Sequence, residues 1–106
     1  MPANIRKILK KLKKALLSIY GENVDSIILY GSRARGDARD DLDIDILVVL
    51  TKDFNYSEML RLSSEIVASL SLENDVVISR AFVTKAQYDK LQIPFLMNVR
   101  REGVTV

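Results

Sequence analysis

Cysteine and histidine are both missing from this chain. The first absence removes disulfides, thiolate metal sites and cysteine nucleophiles; the second removes the commonest general base and the usual zinc ligand. Any chemistry must therefore run on carboxylates, hydroxyls, lysine, arginine and metal. A large charge imbalance is missing as well: 16 Lys and Arg against 14 Asp and Glu leave a net charge of +2, too little by itself to argue nucleic-acid binding. No apolar run approaches the roughly 20 residues that span a bilayer, and lysines interrupt the N-terminal segment throughout, unlike a secretory signal. The expectation is a cytoplasmic protein with no membrane association. Its 106 residues make one domain, 1–106, with a single core that buries roughly 60 to 70% of the unfolded surface.

What is present is concentrated between Gly31 and Asp45, GSRARGDARDDLDID, flanked by the apolar runs 27–30 and 46–50. The pattern predicts a strand, a tight Gly-Ser turn, a basic segment, and a second strand whose first residues carry two carboxylates. Alternation along a strand puts Asp43 and Asp45 side by side while Ile44 and Ile46 point into the core. Adjacent carboxylates repel unless a cation lies between them, and an oxygen-only set with access to water suits Mg2+ or Mn2+. The Gly-Ser turn offers close backbone approach and donors to an anion. Metal ligands beside a phosphate cradle imply nucleoside triphosphate chemistry.

Elsewhere, Ile5, Ile8, Leu9, Leu12, Leu16 and Ile19 recur at helical spacing from about Asn4 to Tyr20, with Arg6 and five lysines on the other positions. A solvated basic face over a core-facing stripe explains this helix, with a surface for nucleic acid or an acidic partner as the alternative, and Gly21 ends it. Ser26 to Tyr30 and Asp43 to Leu50 are predicted strands. Tyr56 to Leu70 is a second helix built on Met59, Leu60, Leu62, Ile66, Val67 and Leu70, with Asn55 or Ser57 as cap. Asp75 to Val83 is a third strand. Thr84 caps a short helix to about Leu91, and Pro94 starts a last one that Gly103 stops. The expected fold class is α/β (α+β): a short, twisted mixed sheet with helices mainly on one face and the site at its edge.

Gly31-Ser32, ten residues, then Asp43-x-Asp45 resembles the signature of the polymerase-beta-type nucleotidyltransferase superfamily. GSRARG, and DID followed by an apolar strand, are most similar to its minimal branch, the MntA-like protein adenylyltransferase antitoxins that pair with HEPN-domain toxins. The likeness runs from about Asp25 to Val104. Leu42 departs from it, since the family usually has Ser before the first metal Asp; the ligand positions are intact.

The resemblance implies a nucleotidyltransferase fold in which Asp43 and Asp45 hold two Mg2+ ions, with Mn2+ as the alternative, and ATP is the substrate. It also implies a third carboxylate from a neighbouring strand that completes the metal site and draws the acceptor proton. Asp75 opens the only later apolar strand and takes that role, with Glu73 as fallback. Gly31 and Ser32 would meet the terminal phosphates, and Arg33, then Arg35, would contact phosphate unless they pair with Asp37, Asp40 or Asp41. Tyr30 reads as a core residue with a wet hydroxyl. The implied activity is transfer of AMP to a tyrosine of a HEPN toxin, within a hetero- or homo-oligomer and without nucleic acid. Two other readings stand beside it: a binding module that neutralises the toxin by occlusion, and a transferase for a small molecule such as an aminoglycoside.

Overall fold

The structure, a computed structural model, describes residues 3–31, 34 and 43–106. Helix α1 (Ala3–Tyr20) buries Ile5, Ile8, Leu9, Leu12 and Leu16 and leaves Arg6 and its five lysines exposed, as the 3.6-residue period requires. Gly21 ends it at φ +61°, a left-handed backbone that costs a glycine nothing. A 3-10 turn (Gly21–Asn23) then leads into strand β1 (Val24–Tyr30). Strand β2 (Asp43–Leu50), helix α2 (Tyr56–Asn74), strand β3 (Val77–Thr84), helices α3 (Lys85–Lys90) and α4 (Pro94–Glu102), and the short strand β4 (Val104–Thr105) follow.

The strands form one mixed sheet in the order β3-β2-β1-β4. β1 runs antiparallel to β2 and β4, whereas β2 and β3 are parallel, joined by the α2 crossover. β2 is thus an inner strand, and Ile44 and Ile46 to Leu50 are all fully buried. Its alternation divides the core into two layers. Ile44, Ile46, Val48 and Leu50 join Ile27, Leu29, Ile78 and Phe82 beneath α1 and α2; Leu47 and Val49 join Ile28 beneath Leu96 and Val99 of α4.

Helices cover both faces: the two long ones, α1 and α2, lie on one, as expected, and the unexpected cover of the other by the short α4 is a first correction. The α4 segment was too short and too charged at its end to announce a second layer, yet Leu96 and Val99 are enough to seal the smaller cluster. A second correction concerns α2: Leu62 is 39% exposed and Ser63 is fully buried. Ser63 Oγ accepts from Arg80 Nε at 2.7 Å, and Arg80 also donates to the Leu60 carbonyl at 2.8 Å. Arg80 emerges from β3 on the α2 side, so the inward helix position must be a small polar residue that satisfies it. A third correction is the start of β3. Helix α2 continues four residues past Leu70, and Asp75 caps it with φ 52° and ψ 48°, donating its N–H to the Ser71 carbonyl. Asp tolerates this left-handed geometry better than most residues. The strand then begins at Val77 rather than Asp75.

Two side-chain caps matched the sequence. Asn55 Oδ1 accepts from the Glu58 N–H, and Thr84 forms a reciprocal capping box with Gln87.

Candidate active site

Asp43 and Asp45 sit at the first positions of an inner strand, so hydrogen bonds to neighbours on both sides fix Asp45's backbone. Asp45 pairs with Tyr30 of β1 and with Ser79 of β3, and Asp43 lies beside Val77. Both carboxylates share a sheet face with Leu47 and Val49. Cover by α4 reaches Leu47 and Val49 and stops short of the aspartates, leaving Asp43 exposed and Asp45 half-buried. The site is the end of a packed layer. A side chain here is placed by the sheet while its tip meets solvent, an arrangement that gives more precision than a loop can.

Gly31 closes the strand beside it with φ +74°, and a Cβ at that position would stand 2.7 Å from Asp45 Oδ2. Glycine is therefore required twice, once for the backbone angle and once for the carboxylate. Ser32, Arg33 and Arg35, the other expected nucleotide contacts, lie outside the described residues.

Asp75 is exposed on the turn before β3, two positions ahead of the residue that pairs with Asp43. Among the described residues no three Asp or Glu side chains are grouped closely enough to hold one ion. Glu73 lines a groove with Lys11, Lys14, Ile66 and Leu70, on the α1 and α2 side of the sheet and away from Asp45. The donor set in place is two carboxylates open to water. That matches how Mg2+ is commonly held, by one or two carboxylates together with substrate phosphate and water.

Tyr30 occupies the same face as Asp45. Burial pushes its hydroxyl above the usual tyrosine range, and the negative charge of Asp45 adds to the shift. Its ring meets Phe95 of α4 edge to face, with centroids 5.3 Å apart and planes at 85°. Beside this pair, between β1 and α4, lies a cavity of about 180 Å³ lined by Tyr30, Gly31, Phe95, Asn98, Val99 and Glu102. Sequence reasoning missed this wall. Phe95, Asn98 and Glu102 are spaced to share one face of a helix, a legible signal, but nothing in the spacing says that this face meets the Gly31 turn. Arg100, by contrast, donates to the Tyr88 and Leu91 carbonyls and fastens the α3 to α4 connection.

Known proteins resemble this chain in sequence and in fold. The family model described as "Polymerase beta, Nucleotidyltransferase" matches residues 4–103. The chain is 36% identical over 101 residues to "Putative protein adenylyltransferase MJ0604" of Methanocaldococcus jannaschii, spanning 94% of this chain and 95% of the relative. A nucleotidyltransferase crystal structure from Sulfolobus solfataricus, named putative, superposes with a TM-score of 0.65 at 23% identity, covering 93% of this chain and 76% of that one. A toxin-antitoxin crystal structure with AMP-PNP gives a TM-score of 0.61 at 18% identity, covering 91% and 70%.

Proposed function

This chain belongs to the polymerase beta nucleotidyltransferase family, and on that premise we propose that it transfers AMP from ATP to a tyrosine hydroxyl of a partner HEPN-domain toxin, acting as the toxin's antitoxin. The observation that carries the reading is the pair Asp43 and Asp45 at the open end of β2, with the Gly31 turn packed against Asp45. A sheet that needed only stability has no use for two carboxylates on neighbouring positions of one face. The naming of a curated relative as a protein adenylyltransferase, and of a structural neighbour as a toxin-antitoxin complex with a nucleotide, supports a protein as the acceptor.

Asp43 and Asp45 would hold Mg2+, or Mn2+ in its place, and the bound cation would offset charge on the phosphates and lower the pKa of an oxygen ligand. The residues of the chain do the rest. Gly31 brings backbone close to the triphosphate, with Ser32, Arg33 and Arg35 of the same segment as further phosphate contacts. The acceptor oxygen attacks the α-phosphorus, the bond to the bridging oxygen of the β-phosphate breaks, and pyrophosphate leaves. In a chain without histidine, Asp75 is the carboxylate that takes the hydroxyl proton.

The test is intact-mass measurement of a HEPN-domain protein after incubation with the chain, ATP and Mg2+. The expected result is a gain of AMP on the toxin, mapped to tyrosine, that disappears with Asp43→Asn. A stable complex without any mass gain would replace catalysis by occlusion.

A further inference from the structure

Strand β3 is an edge of the sheet, and its outer side is closed along only part of its length. The Phe82 N–H donates to the Tyr56 hydroxyl at 3.3 Å and the Thr84 N–H to Gln87 Oε1 at 2.9 Å. Even-numbered residues of β3 therefore turn their backbone groups outward, and Val77, Ser79, Ala81 and Val83 turn theirs to β2. Tyr56 and the α3 cap close the outer side from Phe82 onward. Before that point, the outward N–H and C=O groups of Ile78 and Arg80 have no hydrogen-bond partner among the described residues. Native sheets ordinarily cover or blunt such an edge. The open half is also the half beside Asp43 and Asp45. Val77 pairs with Asp43 and Ser79 with Asp45, on the sheet face that α4 leaves uncovered, where Val77 is 57% exposed and Ser79 is exposed.

We propose that this half-edge is where the acceptor polypeptide docks, as an extended segment that adds a strand beside residues 77–80 and extends its tyrosine across β3 toward Asp43 and Asp45. The proposal rests on the protein adenylyltransferase reading and deepens it. Main-chain hydrogen bonds to Ile78 and Arg80 hold the segment, and alternation sends every second one of its side chains onto the carboxylate face. A residue there lies two strand spacings, roughly 10 Å, from β2. Tyrosine crosses most of that gap with its ring over Val77 and Ser79. Serine and threonine carry the hydroxyl on Cβ and end a strand short, so reach selects tyrosine. A second copy of this chain is the poorer occupant. Two outward residues bury far less than the roughly 1,200 Å² of a stable interface, whereas a substrate that leaves after each turnover needs no more.

The test is amide hydrogen exchange, read by NMR on the full chain with Mg2+ and α,β-methylene-ATP, before and after addition of a short peptide. The peptide alternates threonine and valine around one central tyrosine, with a lysine at each end. At about ten times its Kd, the Ile78 and Arg80 amides are expected to exchange about tenfold more slowly, while those of Phe82 and Thr84 stay as they were. Methylating every second backbone nitrogen of the peptide should abolish this protection in one register and leave it in the other, the two-residue period of a strand. With ATP in place of the analogue, the peptide should gain AMP on its tyrosine. A version with serine there should react at least about a hundredfold more slowly, its hydroxyl being displaced by a strand spacing. Unchanged exchange at Ile78 and Arg80 while AMP still passes to the peptide or to a HEPN-domain protein, or equal transfer to serine, overturns the edge docking and leaves the transferase standing. Protection of both amides in the chain alone, with elution as a dimer, assigns the edge to a second copy and overturns the docking equally. If neither the peptide nor a HEPN-domain protein gains AMP, the transferase reading falls and takes the docking with it.

Discussion

The two ends of β2 are built from the same alternation and end in opposite environments. From Ile46 to Leu50 every residue is fully buried, because α1 and α2 cover one face and α4 the other. At Asp43 and Asp45 only the α1 and α2 side is covered, so Ile44 is buried while both carboxylates reach water. The second layer is short, and where it stops a packed sheet becomes a site. Rigidity and exposure come from one strand without a loop to supply either.

Removing the carboxylates should separate the two ends most sharply. Asp43→Asn combined with Asp45→Asn is expected to lower AMP transfer by at least about a thousandfold. Thermal melting of the same variant should change by no more than about 1 to 2 kcal/mol, since Asp43 is exposed and Asp45 half-buried. An unaltered transfer rate would remove both aspartates from the site. At the packed end, Ile46→Ala and Leu47→Ala should each cost about 2 to 5 kcal/mol in urea unfolding, although they lie on opposite faces. If only Ile46→Ala is costly, the α4 layer contributes less than its complete burial of Leu47 implies.

A substitution at the boundary should affect both quantities. Gly31→Ala forces an alanine to φ +74° and sets its Cβ 2.7 Å from Asp45 Oδ2. A stability loss of about 1 to 2 kcal/mol follows from the left-handed backbone, and displacement of Asp45 should cost transfer about a hundredfold. Melting and transfer measured on one sample would show whether the two losses travel together.

The smallest effect is a pH dependence. Tyr30 is shifted upward from 10.0, first by burial and then by Asp45, and Tyr20 is raised by burial in the other layer. A folded pKa above the unfolded one means that the native state holds its proton longer. Stability is then fully present below pH 10 and falls as pH rises through the folded value. Tyr30→Phe should flatten that alkaline decline and leave neutral-pH stability nearly unchanged. A decline just as steep in the variant would assign it to Tyr20 or other groups.

Much of this was legible in the residues. The stripe from Ile5 to Leu16, the alternation of 43–50, Asn55 and Thr84 as caps, and Gly31 before the acidic strand are local patterns, and local patterns survive folding when tertiary packing agrees with them. Ser63 and Asp75 show where they fail. Ser63 is buried because Arg80, 17 positions away in the chain, needs an acceptor there. Asp75 leaves the strand because α2 needs a residue in the left-handed region to end on. Neither demand is visible from the neighbours of the residue that meets it.

The sequence by itself determined which residues face which side of β2, since a period of two leaves no choice once Ile44, Ile46 and Val48 must be buried together. It therefore also determined that Asp43 and Asp45 share a face. Only the tertiary structure decided what stands opposite them. The strand order that puts β1 and β3 on either side of β2 depends on pairings such as Tyr30 with Asp45 and Asp43 with Val77, and the docking of α4 that sets Phe95 and Asn98 beside Tyr30 and Gly31 joins segments more than 60 residues apart in the chain. Such contacts follow from which surfaces fit together, a property of the folded layers that no single stretch of residues carries.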